Sequence, residues 1–477
     1  MEHLIKINLP GGFISAGDLY EILLIAESAG AADIRFGNRQ QLYFNVSTDK
    51  LEDLELDMLK TEISYEVDKD TYPNIISSYV ADTIFTHQEA WLREGVYKDI
   101  FDAFDHQPKL KVNVVDSNQT FVPFFSGNIN FIASGVNNYW YVYIRFPKTD
   151  KVCCFPSLVY SEDIPEFSRA AEELILKQKQ LFYDRTEIDE ELFFKTLAAQ
   201  LPLAYRQTNE TLKLPDFYLP YYEGFNKYGS KYWLGIYRRS ELFKLRFLKD
   251  VCLLCLKTRI GQVYSTPWKS IIIKGIEQAD RNQWGLILSK HRLNVRHAAN
   301  ELNWQVEDIC EEGLALKQQL VQQFEDADLR TYQLSFAIKT QPKTGLQASV
   351  VLKKSATGLY DILHTHDFNP NSKEELTYAK QVKPQSLGKK LVALCDGFYQ
   401  RQSDPVLAAT ASGSEESIPQ EEINIYQCNC CLTRYDQRYG DPQNDIDKGT
   451  PFENLTDYTC PVCDAAAAEF SLIDAQA

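Results

Sequence analysis

No run of 18 or more apolar residues occurs in these 477 residues, so no stretch reads as a membrane-spanning helix. The opening segment Met1-Glu2-His3-Leu4-Ile5-Lys6 likewise lacks a basic stretch followed by an apolar one, which argues against a secretory leader and gives a cytoplasmic expectation. Positive charge is short as well: 50 Lys and Arg face 66 Asp and Glu, for a net charge of −16. A deficit of that size disfavours nucleic acid and anionic membranes as partners. It suits docking onto a basic patch of another protein, where complementary charge speeds encounter. Cysteine is not scarce, but the eleven thiols are scattered unevenly, which fits a reducing compartment better than a disulfide framework.

Four of those thiols stand in two Cys-x-x-Cys turns, Cys428 with Cys431 and Cys460 with Cys463, separated by 28 residues. Each such turn lets two sulfurs converge, and four thiolates close a tetrahedron around one soft metal, iron or zinc. The site is closed, with no open coordination position. Iron there gains or loses an electron without binding substrate, whereas zinc only holds the fold together. Between the turns lie Tyr435-Asp436, Gly440-Asp441-Pro442, Gly449-Thr450, Phe452-Glu453 and Tyr458. With these turn and aromatic residues the segment 423–471 resembles a rubredoxin, which implies one iron on the four cysteines and one-electron transfer. That family carries glycine directly after each cysteine pair, where this chain has Leu432 and Asp464. Asp enters the left-handed region fairly easily and Leu does not, so the first turn is expected to be strained or reshaped. Cys430, inside the first pair, is an additional thiol without an assigned role.

The first 400 residues read as an internal repeat. A strand Ile5–Leu9 enters the turn Pro10-Gly11-Gly12, a helix follows over Leu19 to Ala29, and strands follow at Ile34–Phe36 and Gln41–Val46. About 230 residues on, Tyr232–Tyr237 is the strand, Glu241 to Arg259 the helix, and Tyr264–Lys269 with Ile271–Gly275 the remainder. The words Leu9-Pro10-Gly11-Gly12, Ile34-Arg35 with Arg39-Gln40, Pro73-Asn74-Ile75-Ile76-Ser77-Ser78, Pro108-Lys109-Leu110-Lys111 and Thr266-Pro267-Trp268 resemble the sirohaem-dependent nitrite and sulfite reductase family. The fold class this implies is α+β, a pseudo-twofold assembly of two ferredoxin-like halves plus the small C-terminal metal module. The expected boundaries are 1–66 and 201–288 for the ferredoxin-like halves, 67–200 and 289–403 for the reductase-like modules, 404–422 for a flexible tether and 423–471 for the rubredoxin-like domain.

The resemblance also carries site residues. Arg35, Arg39 and Gln40 match the family's sirohaem-carboxylate motif, and Lys109 and Lys111 match its anion-binding Lys-x-Lys. The two arginines that complete that anion site do not match, since Asn8 and Pro73 stand in their places. The family's four-iron cluster needs Cys-x5-Cys and Cys-x3-Cys, and neither spacing occurs in this chain. The four positions align with Trp304, Cys310, Gln341 and Gly345, which leaves one thiolate, and one thiolate cannot hold a [4Fe–4S] cluster.

Other clusters read as structure. Cys252 and Cys255 on an apolar-faced helix, and Cys153-Cys154, are expected in the core. His364-Thr365-His366-Asp367 has no companion at metal-ligand spacing. Arg238-Arg239 and Lys389-Lys390 read as solvated pairs, and Tyr139–Ile144 as a strand. The sequence therefore describes an electron carrier rather than an enzyme, a degenerate reductase scaffold bearing a rubredoxin that serves an assimilatory nitrate or nitrite reductase. Two alternatives stay open: an active sirohaem reductase with a built-in rubredoxin, and a zinc-stapled interaction protein.

Overall fold

The structure, a computed structural model, describes residues 1–411 and 425–473, apart from 87–90, 150, 186, 209, 297, 299, 342–344, 373–374, 438, 442–443, 445 and 456. The strand Glu2–Ile7 buries Ile5 and Ile7 completely and runs into Leu9-Pro10-Gly11-Gly12. Gly11 and Gly12 take φ of 75° and 79°, and a Cβ on either would stand 2.3 Å from the Phe101 ring or the Gln40 side chain. Only glycine fits this turn. Ser15 then caps the helix Ala16–Ser28 by accepting a hydrogen bond from the Asp18 amide at 2.9 Å. Leu19, Ile22, Leu23 and Ala26 of that helix are buried, the spacing of a single core-facing stripe.

The two ferredoxin-like halves exchange strands. The first sheet has the order Phe243–Lys244, Asp33–Phe36, Leu42–Ser47, Glu2–Ile7, Tyr65–Val67. The second runs Gly224–Tyr228, Lys231–Ile236, Ile271–Glu277, Gln262–Ser265, Phe13–Ser15. Phe243 thus pairs with Ile34 in the first sheet, while Ile14 pairs with Val263 in the second. Helices Ala16–Ser28 and Leu245–Lys257 pack into one hydrophobic core shared by both halves. The second helix begins at Leu245 rather than Glu241, because Phe243 and Lys244 are committed to the other half's sheet. Thr266 to Ser270 form a tight turn instead of continuing the strand, with the Thr266 amide donating to the Ser270 carbonyl at 3.0 Å.

Both reductase-like modules repeat one sheet pattern. Ile76–Ser77, Val112–Val115 and Ile129–Ala133 are parallel, and Tyr139–Arg145 turns antiparallel. Trp304–Val306, Phe336–Lys339 and Val350–Lys354 are parallel, and Tyr360–Thr365 turns antiparallel. The expected strand Tyr139–Ile144 is thus present and largely buried. Cys252 and Cys255 are buried in the core, as is Cys153, whereas Cys154 on the opposite face of its strand is exposed.

The helix Leu387–Ala411 carries on into the stretch expected to be a tether, where Leu407, Ala408 and Ala409 favour helix. Residues 412–422 of that tether lie outside the described residues. The C-terminal module is a three-stranded sheet of order Arg434–Asp436, Ile425–Cys428, Phe470–Ile473. No helix among the described residues is long and apolar enough to cross a membrane.

Candidate metal centre

The two cysteine turns of the C-terminal module repeat one hydrogen-bond pattern. The Cys428 amide donates to the Thr433 carbonyl at 2.8 Å and the Leu432 amide to the Cys428 carbonyl at 2.9 Å. In the second turn the Cys460 amide donates to the Ala465 carbonyl at 2.8 Å and the Asp464 amide to the Cys460 carbonyl at 3.0 Å. The turns face each other, so that Sγ of Cys428 lies 3.6 Å from Sγ of Cys463, and Sγ of Cys431 lies 3.4 Å from Sγ of Cys460. All four sulfurs fall within 4.8 Å of one another. A tetrahedral metal with bonds of about 2.3 Å calls for sulfur separations of about 3.8 Å, so the quartet needs only a small adjustment to close on one ion.

Cys428 and Cys460 are buried, Cys431 and Cys463 half-buried, and Cys430 is exposed and outside the quartet. Burial opposes ionisation of Cys431, yet hydrogen bonds from Thr433, Cys463 and Cys460 together outweigh it and lower that thiol to about 7. The wall behind the sulfurs is aromatic: Tyr426 stacks on Phe452 at 4.3 Å, and Tyr435, Tyr458 and Phe470 close round them. Their polar tips are satisfied, Tyr435 Oη donating to the Thr450 carbonyl and Tyr458 Oη to Asp441.

Leu432 and Asp464 take φ of 62° and 59°, the left-handed conformation that glycine adopts most easily. The first turn is therefore strained but not reshaped. Leu432→Gly is expected to stabilise the metal-loaded module by about 1 kcal/mol, the usual penalty of a left-handed L-residue. Thermal loss of the metal–thiolate absorbance measures it.

The reductase-like positions lie elsewhere, between the first ferredoxin-like half and the two modules. Arg35 pairs with Glu311 at 2.6 Å. Arg39 is enclosed: its guanidinium donates to the carbonyls of Asn74 at 2.7 Å and Val112 at 2.9 Å, and to Asn113 Oδ1 at 3.3 Å. Burial pulls its pKa down to about 9, with the Arg145 charge adding to the effect and Asp70 and Asp308 opposing it. The Gln40 side chain donates to the carbonyls of Ser77 and Ser265 and accepts from the Ser77 amide, which ties the two repeats together. Lys109 is exposed, while its backbone amide donates to Glu172. Lys111 turns inward, where burial and then Arg39 and Arg145 pull its ammonium down to about 8.

Sequence reasoning missed Arg145, Asp308 and Asp70, the other charges of this cleft. Arg145 at the end of its strand breaks an aromatic run and was the one visible signal. A Cβ on Gly345 would stand 3.5 Å from Lys111 Nζ and 3.6 Å from Arg145 Nη2, so the absent cluster ligand falls beside these cations. Of the other three aligned positions, Trp304 stacks on Phe336 in the core, Cys310 caps the helix Glu311–Asp326 by accepting from the Gly313 amide at 3.3 Å, and the Gln341 amide donates to Glu307.

Sirohaem would need free donors for its carboxylates. Those of Arg39 and Gln40 are spent on protein acceptors and Arg35 is paired with Glu311. The amide oxygens left without a partner around them, Asn8 Oδ1, Asn38 Oδ1, Gln41 Oε1 and Asn74 Oδ1, are acceptors that a carboxylate cannot satisfy. These residues do not fit the group. Elsewhere, His364 stacks on Phe368 at 4.6 Å, Arg239 pairs with Glu301 at 2.5 Å, and the four cysteines are the one metal-ligating cluster among the described residues.

Comparison with known proteins places these features. Residues 425–470 match the rubredoxin family model, and residues 2–60 match the model for the nitrite/sulfite reductase ferredoxin-like half domain. Rubredoxin-2 of Chlorobaculum tepidum is 47% identical over 49 residues, which are 10% of this chain and 94% of that protein. The high molecular weight rubredoxin of Moorella thermoacetica is also 47% identical over 49 residues, 10% of this chain and 21% of that one. The solved structure of the Mycobacterium tuberculosis NirA protein superposes with a TM-score of 0.62 at 14% identity, covering 81% of this chain and 79% of that one, a likeness of fold.

Proposed function

Because residues 425–470 of this chain belong to the rubredoxin family, fused to a nitrite/sulfite reductase-like fold, we propose that the protein is a one-electron carrier whose large domain is a docking scaffold. The observation that carries the reading is the quartet itself, four sulfurs within 4.8 Å on two matching turns. Cys428, Cys431, Cys460 and Cys463 would hold one iron, which supplies a one-electron couple with no open coordination position. The protein's part is to supply the thiolates, screen them behind the aromatic wall and leave Cys431 half-exposed for electron exchange.

The scaffold role rests on what fills the reductase cleft. Arg39 and Gln40 hold backbone carbonyls, and the family's cluster positions hold Trp304, Gln341 and Gly345. The boundaries set out above, a cytoplasmic location and a partner such as an assimilatory nitrate or nitrite reductase belong to the same proposal. The partner follows from the family of the N-terminal half, and the acidic charge of the chain suits a basic docking patch.

Metal analysis with an absorption spectrum, on protein from cells replete in iron and sirohaem, tests the reading. One iron per chain with thiolate-to-iron charge-transfer bands and no tetrapyrrole absorption is the expected result. Iron together with a tetrapyrrole would make the chain the reductase itself, and zinc alone would make the module a staple.

A further inference from the structure

Asp464 is the residue that replaces the second glycine after a cysteine pair, and its carboxylate leaves its own module. Tyr232 Oη donates to Asp464 Oδ2 at 2.8 Å. Lys227 Nζ stands 3.7 Å from Oδ1, and Arg281 Nη1 stands 3.8 Å from Oδ2. These three partners come from separate elements of the second ferredoxin-like half: Lys227 from the edge strand Gly224–Tyr228, Tyr232 from its neighbour Lys231–Ile236, and Arg281 from the first position of the helix Arg281–Lys290. Arg281 is itself held over the rings of Tyr232 at 4.9 Å and Phe225 at 5.5 Å. The basic pair thus rests on an aromatic floor and meets a module that carries a surplus of five acids over 426–470.

We propose that this face of the second half is the docking surface for the chain's own metal module, with Asp464 as its anchor. A glycine there could make none of the three contacts, which accounts for the departure from the family pattern at this turn. The consequence is an orientation. The Cys460–Cys463 turn faces the scaffold, and the Cys428–Cys431 turn, with Leu432 at 68% exposure, is the side through which a separate redox protein reaches the metal.

Two of the three contacts are ionic and partly exposed, so salt weakens the docking while the Tyr232 hydrogen bond persists. The proposal concerns where the module sits and does not depend on which metal it holds. It is tested on the full chain loaded with iron or zinc. Carbodiimide, which condenses a carboxylate with an adjacent amine, should join Asp464 to Lys227, detected as the linked peptide by mass spectrometry. Performed on a mixture of isotopically light and heavy chains, the reaction should give linked peptides of unmixed mass.

Asp464→Lys should abolish that peptide and lengthen the particle in small-angle scattering. Combining Asp464→Lys with Lys227→Glu and Arg281→Glu should restore the compact profile. Retained metal–thiolate absorbance shows that the variant module still folds. Absence of the linked peptide in the natural chain, an unchanged scattering profile in metal-loaded Asp464→Lys, or linked peptides of mixed mass would each overturn docking in cis.

Discussion

Cys460→Ser is expected to abolish the metal–thiolate absorbance and electron transfer while leaving the large domain folded. Cys460 is fully buried, and its sulfur sits 3.4 Å from that of Cys431, so the substitution removes a ligand from the closed side of the site. A hydroxyl is a poorer ligand for a soft ion than thiolate, and once unliganded it is a buried polar group without a partner. The module has little else to hold it. Among the described residues its core comprises five buried hydrophobic side chains, two of them the ligands Cys428 and Cys460. Domains this small depend on a staple, and structural metal binding is worth on the order of 10 kcal/mol in comparable four-ligand peptides.

The readouts separate cleanly. All six tryptophans lie between positions 91 and 304, so tryptophan fluorescence follows the large domain alone and its unfolding midpoint should not move. Cys430→Ser is the matching control, because that exposed thiol lies outside the quartet and its loss should change neither spectrum nor transfer. Retention of full electron transfer in Cys460→Ser would overturn the iron assignment.

Why this site was readable from sequence follows from its locality. Each cysteine turn closes on itself within six residues, Cys428 to Thr433 and Cys460 to Ala465, so spacing specifies geometry. The repeats of the large domain were legible for a similar reason: apolar strands such as Glu2–Ile7 and Lys231–Ile236 and the striped helices carry their burial in their pattern. The strand exchange was not. Phe13–Ser15 and Phe243–Lys244 are two or three residues long, and their pairing partners Gln262–Ser265 and Asp33–Phe36 lie more than 200 residues away in sequence. Nor could the sequence show what Arg39 does. A motif suggests that a guanidinium is available, whereas its fate depends on which carbonyls the fold delivers to it, here those of Asn74 and Val112 from two other segments.

That difference gives the second large effect. Arg39→Ala is expected to destabilise the large domain by about 2–4 kcal/mol, the cost of the acceptors it leaves orphaned, less the repulsion from Lys111 and Arg145 that its loss relieves. The carbonyls of Asn74 and Val112 and the Asn113 side chain would lose their donor in a region where Asn8, Asn38 and Asn74 already have buried oxygens without partners. Arg39→Lys should recover little, since one ammonium cannot span acceptors that a planar fork reaches together. A guanidinium kept free for a cofactor behaves in the opposite way: its removal relieves repulsion from Lys111 and Arg145 and leaves the cofactor-free protein as stable or more so. Denaturant titration followed by tryptophan fluorescence distinguishes the two. A midpoint shifted strongly downward identifies Arg39 as a strut of the scaffold, and an unchanged or raised midpoint would return the cleft to the reductases whose fold it shares.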